Sequence, residues 1–233
     1  MAAEAERDLL RVARASVTPR PDVREGILTR RTFRAFERRP VPLAVRRQIL
    51  ESGRWGWTAG ESDPVRFILV DDAAQKRALF RLTRESKDIS NHWEGLFKPA
   101  GLRGYIQHWG STPFCVAVCL DPGAGPRRIH DGWDHHLAGA AATQQLALAA
   151  RYLGLALVMY THFSQEKLKQ LLDVPFEWDV TGVMGLGYPD LPRINPEVLA
   201  AALPRLPLGE LVSGERYGQP APAVLGHEGA GII

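Results

Sequence analysis

Phe114-Cys115-Val116-Ala117-Val118-Cys119-Leu120 is seven apolar residues without a break. It follows an irregular stretch, 84–112, and runs into a loop over 121–131 rich in Pro and Gly. A run of that length with such punctuation reads as a buried strand. Working outward, Arg66-Phe67-Ile68-Leu69-Val70 is a second strand, ended by Asp71-Asp72, and 155–160 a third. A Gly-broken fourth covers 181–187 and closes at Tyr188-Pro189. Between them lie helical patterns. A short helix is expected over 26–34. A second follows the stop Pro40-Val41-Pro42 and spans 43–54, with Val45, Ile49 and Leu50 on one face. A third covers 73–83. A long Ala-dense one covers 133–153 and ends at Gly154, a C-cap residue. Ser164 caps the last, which carries Leu168, Leu171 and Leu172. Few strands set among helices make an α+β domain. At 233 residues the chain is read as a single domain over 1–233. Residues 1–20 form a helical arm, and 218–233 form a C-terminal tail.

Cys115 and Cys119 are the only cysteines. Four residues apart on a strand, at ~3.3 Å rise each, they stand roughly 13 Å from one another, too far for a disulfide. They are expected to be core-filling thiols in a reducing cytoplasm. The first 20 residues mix acids with arginines and lack the apolar stretch of a signal peptide. The most apolar region, 137–160, is interrupted by Gln144, Gln145 and Arg151, so no membrane span is expected. His130, His135 and His136 cluster in sequence, but no carboxylate-paired ligand geometry can be read from their spacing, so no metal site is assigned.

Charge is uneven. Residues 1–60 hold 13 Arg against 7 acids, whereas the remainder carries 16 bases and 19 acids. With 24 Arg and 5 Lys in all, the basic groups are mostly rigid forks suited to phosphate. A phosphorylated ligand or a nucleic acid would suit such a basic N-terminal segment. No nucleic-acid reading motif accompanies it.

Three segments carry possible chemistry. Arg30-Arg31-Thr32-Phe33-Arg34, read as helix, puts Arg30 and Arg34 on one face with Thr32 near, a clamp of guanidinium and hydroxyl donors for phosphate. Trp57-Thr58-Ala59-Gly60-Glu61-Ser62-Asp63-Pro64 is a polar turn feeding a buried strand, a common place for a ligand. The third is Leu153-Gly154-Leu155 at the end of the Ala-rich helix, followed across a strand by Met159-Tyr160-Thr161-His162-Phe163.

In this order and spacing the segments resemble the FMN-dependent nitroreductase family. Its opening Arg-Arg-Ser-x-Arg-like motif is matched by Arg30-Arg31-Thr32-Phe33-Arg34-Ala35-Phe36. Its next helix is matched by the run from Ile49 to Trp55, and its Ala-Arg-x-Leu-Gly-Leu by Ala149 to Leu155. The Gly-x-Pro close appears as Gly187-Tyr188-Pro189, and a closing basic stretch begins with Arg205-Leu206-Pro207-Leu208.

The resemblance implies a mixed, mainly antiparallel central sheet flanked by helices, in an intertwined homodimer with FMN at the interface. By position, Arg30, Arg31, Thr32 and Arg34 hold the FMN phosphate and ribityl chain, and Arg205 adds charge at the phosphate. Thr58 and Ala59 lie along the flavin, and Tyr160, Thr161 and His162 sit near its ring. No protein acid or base is assigned as catalytic. The implied activity is a cytoplasmic oxidoreductase that passes electrons from NAD(P)H through a ping-pong flavin cycle to a nitroaromatic, quinone or similar small acceptor. The flavin carries the chemistry and the protein positions it. A flavin-destructase-like or substrate-dehydrogenase member, or a non-catalytic flavin binder, is the alternative. The chain departs from the family's loop at Glu61 and Asp63, where Asn and Gln are usual, and at Trp57, where Pro is usual. Pairing of these carboxylates with Arg54 or Arg66 is the expected consequence. The stretch 84–112, with Trp93, Arg103 and Trp109, is the natural lid.

Overall fold

The computed structural model describes residues 18–58, 62–85, 112–124, 134–161, 163–193, 206 and 208–219. The chain divides into two compact units, Met1–Leu199 and Ala200–Ile233. In the first, the elements run α1 (Val23–Thr29), α2 (Leu43–Arg54), β1 (Val65–Val70), α3 (Ala73–Glu85), β2 (Phe114–Leu120), α4 (Asp134–Tyr152), β3 (Ala156–Tyr160), α5 (Gln165–Leu172) and β4 (Asp179–Gly187). A 3-10 turn, Leu191–Arg193, follows. The described part of the second unit holds α6 (Leu208–Leu211). No helix among the described residues is long and apolar enough to cross a membrane.

The seven-residue apolar run is the interior strand it reads as. The sheet order is β1-β2-β4-β3, and every pair of strands is antiparallel. β2 is buried at all seven positions. Its alternate residues feed two separate cores, because successive side chains point to opposite faces. Phe114, Val116, Val118 and Leu120 pack with Ile49 of α2 and with Ala138, Ala142, Leu146 and Ala150 of α4. Cys115, Ala117 and Cys119 pack on the other face with Leu79 of α3 and with Leu168 and Leu172 of α5. The two thiols are free and buried as expected.

The small residues of α4 let a neighbouring backbone approach closely, and that neighbour lies within the same chain. A Cβ on Gly56, just past α2, would stand 2.8 Å from the amide nitrogen of Ala142. One on Gly53 would stand 2.8 Å from Leu146 Cδ2. The helix ends where Gly154 takes φ +72, a left-handed conformation that costs glycine little. Ser164 Oγ accepts from the Lys167 amide at 3.4 Å, which starts α5.

The first helix departs from expectation. It is read over 26–34 but spans Val23–Thr29, capped by Asp22, whose carboxylate accepts from the Glu25 amide at 2.7 Å. Arg30 leaves the helix at φ −60, ψ 125. The chain then runs extended. Thr32 bridges Leu157 in parallel sense, the Phe33 amide donates to the Leu157 carbonyl at 2.8 Å, and Phe36 bridges Pro189. Pairing to the open edge of β3 buries Phe33, the bridge to Pro189 buries Phe36, and together they outweigh local helical preference. Arg151 secures what precedes it. Its Nε donates to Thr29 Oγ1 at 3.0 Å, another guanidinium nitrogen reaches the Thr18 carbonyl, and a third lies 3.6 Å from Glu25 Oε1.

Candidate functional site

Alternation in the extended stretch changes which side chains share a face. Spacing of two, not four, now groups Arg30, Thr32 and Arg34, while Phe33 and Ala35 turn into the core. All three polar residues are half-buried. Arg31 belongs to the other set. Its Nη1 folds back to the Leu28 carbonyl at 2.9 Å and the Arg30 carbonyl at 3.3 Å, at the end of α1.

Arg34 meets Tyr160, the last residue of β3. Burial lowers the Arg34 guanidinium from its ordinary value to about 10, while the nearby phenol acts in the opposite sense. Burial raises the Tyr160 phenol well above its ordinary value, and Arg34 offsets part of that. The phenol is therefore neutral at any working pH, and the cation beside it is poorly solvated. Such a cation favours an anion close by. Thr161 follows at the strand end and is exposed. The structure thus lays Thr32 beside Leu157 and brings Arg34 to Tyr160 at the end of β3, residues far apart in sequence.

Thr58 lies elsewhere. It lines a cavity of about 320 Å³ beside β1, with Gly56, Arg54, Asp63 and Arg66 around it and Ala142 of α4 behind. β1 and β3 are the two edges of the sheet, three strand spacings apart, about 14 Å. Among the described residues, Arg66 reaches the backbone of Asp63 and not its carboxylate. Arg66 Nη1 donates to the backbone carbonyl of Asp63 at 2.6 Å, and its Nη2 lies 3.9 Å from Asp121 Oδ2. Arg54 Nε pairs with Glu51 at 2.8 Å. Ala59, Glu61, His162 and Arg205 lie outside the described residues, as does the expected lid from residue 86 to residue 111.

Sequence reasoning missed two groupings. The coupling of Tyr160 to Arg34 was hidden because only strand pairing joins them. Asp179, the first residue of β4, lies against His135 and His136, supplying the carboxylate that their spacing could not reveal. An alternation count over 30–35, with Phe33 and Ala35 as the apolar set, was the available signal for the first.

Residues 27–188 match the model of the nitroreductase family, and the chain belongs to that family. It is an oxidoreductase of the kind the family contains. The NADH dehydrogenase of Thermus thermophilus is 26% identical over 185 residues, covering 72% of this chain and 87% of that protein. Among solved structures, the NADPH:FMN oxidoreductase from Vibrio harveyi complexed with NAD+ superposes with a TM-score of 0.63 at 21% identity. That match covers 86% of this chain and 80% of the other. Iodotyrosine deiodinase bound to FMN and 3-iodo-L-tyrosine gives 0.58 at 22% identity, covering 69% and 86%. At such identities these neighbours establish the fold.

Proposed function

We propose that the chain is an FMN-dependent oxidoreductase that takes electrons from NAD(P)H and passes them to a small organic acceptor of the nitroaromatic or quinone class. The observation that carries this reading is the half-buried row Arg30, Thr32 and Arg34 laid along β3 beside Tyr160. The donor set fits a flavin nucleotide. Two guanidinium forks and a hydroxyl suit a phosphate dianion, and a poorly solvated Arg34 gains most from one. When bound, FMN supplies a carrier that accepts hydride from the nicotinamide and yields the electrons to an acceptor in a separate binding event.

The chain's own residues bind and orient. Arg30, Thr32 and Arg34 hold the phosphate and ribityl end, with Arg31 at the end of α1 adding positive potential and Arg205 contributing a further guanidinium. Tyr160, as a neutral phenol beside Arg34, offers its O–H as a donor to the bound ligand. Thr161 stands at the end of β3, and it and the next residue in sequence, His162, are assigned to the ring edge and substrate. Thr58, on the β1 side, and Ala59, which follows it in sequence, are assigned to the flavin of a second subunit in a homodimer. The two sets occupy opposite sheet edges, and that separation supports a site completed by two chains. The buried free thiols suit a cytoplasmic protein.

Titration of the apoprotein with FMN, followed by flavin fluorescence, tests the assignment. Each charge-assisted contact is worth ~1.5–3 kcal/mol, so Arg34→Met is expected to weaken binding about 10- to 100-fold. Unchanged affinity in both Arg30→Met and Arg34→Met would remove the phosphate role.

A further inference from the structure

On the α4 side of the sheet, away from Arg34, three metal-ligating side chains converge. His135 Nε2 lies 3.2 Å from Asp179 Oδ2, and His136 Nε2 lies 3.6 Å from the same oxygen. The two rings are 4.1 Å apart between centroids and tilted by 36°. All three ligand atoms fall within 4.8 Å of one another.

The strand is shaped to make this meeting. The β2–β4 register shifts between Val118 and Cys119, so that Val118 pairs with Gly182 and Cys119 with Val180, leaving Thr181 as an extra residue. A bulge of this kind reverses the alternation beyond it. Met184 and Leu186 face α4, and continued alternation would turn Val180 that way too. Instead Val180 joins the opposite core, and Asp179 and Thr181 turn to α4. Thr181 Oγ1 is buried with no hydrogen-bond partner among the described residues. It stands 2.6 Å from where a Cβ on Gly139 would be, one helical turn on from His135.

We propose that His135, His136 and Asp179 form a divalent transition-metal site of the two-histidine, one-carboxylate type, with Zn2+ the best-matched ion. Zinc takes imidazole nitrogen and carboxylate oxygen at ~2.0–2.2 Å in a tetrahedron, which puts adjacent ligand atoms about 3.4 Å apart. The observed 3.2 and 3.6 Å bracket that spacing. His135 is largely buried, whereas His136 and Asp179 reach solvent, which leaves the fourth position to water. The ion would tie the first turn of α4 to the first residue of β4.

Two features oppose binding and set its strength. Lys169 Nζ lies 3.9 Å from Asp179 Oδ1 and competes for the carboxylate. The helix N-terminus also disfavours a cation, an effect that Asp134 in the same turn offsets.

The test uses the full-length, untagged protein with its cofactor, stripped with chelator and dialysed. Zn2+ is titrated by calorimetry, and Co2+ serves as a spectroscopic reporter. One ion per chain is expected, with Co2+ giving the visible bands of a four-coordinate site that Zn2+ displaces. Affinity should fall about tenfold or more in H136A and in D179N, with far-UV dichroism unchanged. K169M should bind more tightly than the unmodified chain. H136A alters an exposed side chain, so it tests the site even if H135A disturbs packing. Absence of stoichiometric binding, or binding that survives both H136A and D179N, overturns the proposal.

Discussion

Arg34 shows at the scale of one residue how a ligand site opposes stability. A guanidinium whose value falls on folding holds its proton less tightly in the folded chain. Its charged form therefore costs stability at every pH below about 10, and the cost is relieved only as pH rises through that value toward the ordinary one. Arg34→Met is expected to stabilise the flavin-free protein by about 1 kcal/mol, roughly 2–4 °C in Tm, while weakening flavin binding. A lower Tm would mean that Arg34 supports the fold instead. The thiols give a second expectation. Burial pushes Cys115 up to about 12 and Cys119 up to about 11. Neither should react with a disulfide reagent at pH 8 in the folded protein, and both should react once it is unfolded. Reaction without unfolding would contradict their burial.

Elements were legible where sequence pattern and tertiary packing agree. The strand 114–120 and the helix 43–54 have the limits read from sequence, because an uninterrupted apolar run and a Pro stop admit few alternatives. The stretch 30–34 reads as helix but is extended, since its helix-compatible residues conceal a strand edge that exists only after β3 has formed. The family's motifs single out the arginines by position, whereas their shared face follows a period of two and not the helical one. Likewise the Asp179–His135 meeting depends on a bulge that no local pattern announces. The close approach of the α2 end to α4 was legible only as an excess of alanine. A Gly56→Ala change forces a Cβ to 2.8 Å from the Ala142 amide nitrogen, where backbone must give way. A loss of ~1–3 kcal/mol in urea unfolding is expected. A change below about 0.5 kcal/mol would show that the loop relaxes freely.

At the scale of the whole molecule, the residues assigned to one flavin lie on opposite edges of the sheet. A second copy that brings its Thr58 loop to the Arg34 edge would complete each site, and complementation tests this. Arg34→Met and Thr58→Trp should each impair activity alone. Dimers mixed from the two by unfolding and refolding should regain about a quarter of the sites, because half of the dimers are mixed and each carries one intact site. No recovery, with mixed dimers verified by mass, would place both residues in the same chain's site.

A flavin oxidoreductase fed by a nicotinamide must show electron transfer from that nicotinamide to its bound flavin. An anaerobic absorbance spectrum of the purified, FMN-loaded protein, taken before and after NADPH and then NADH, tests it most directly. Oxidised flavin bands are expected to bleach on addition of at least one nucleotide and to return with a quinone or nitroaromatic acceptor. A protein that cannot be loaded with FMN, or flavin bands that persist under both nucleotides, would contradict it.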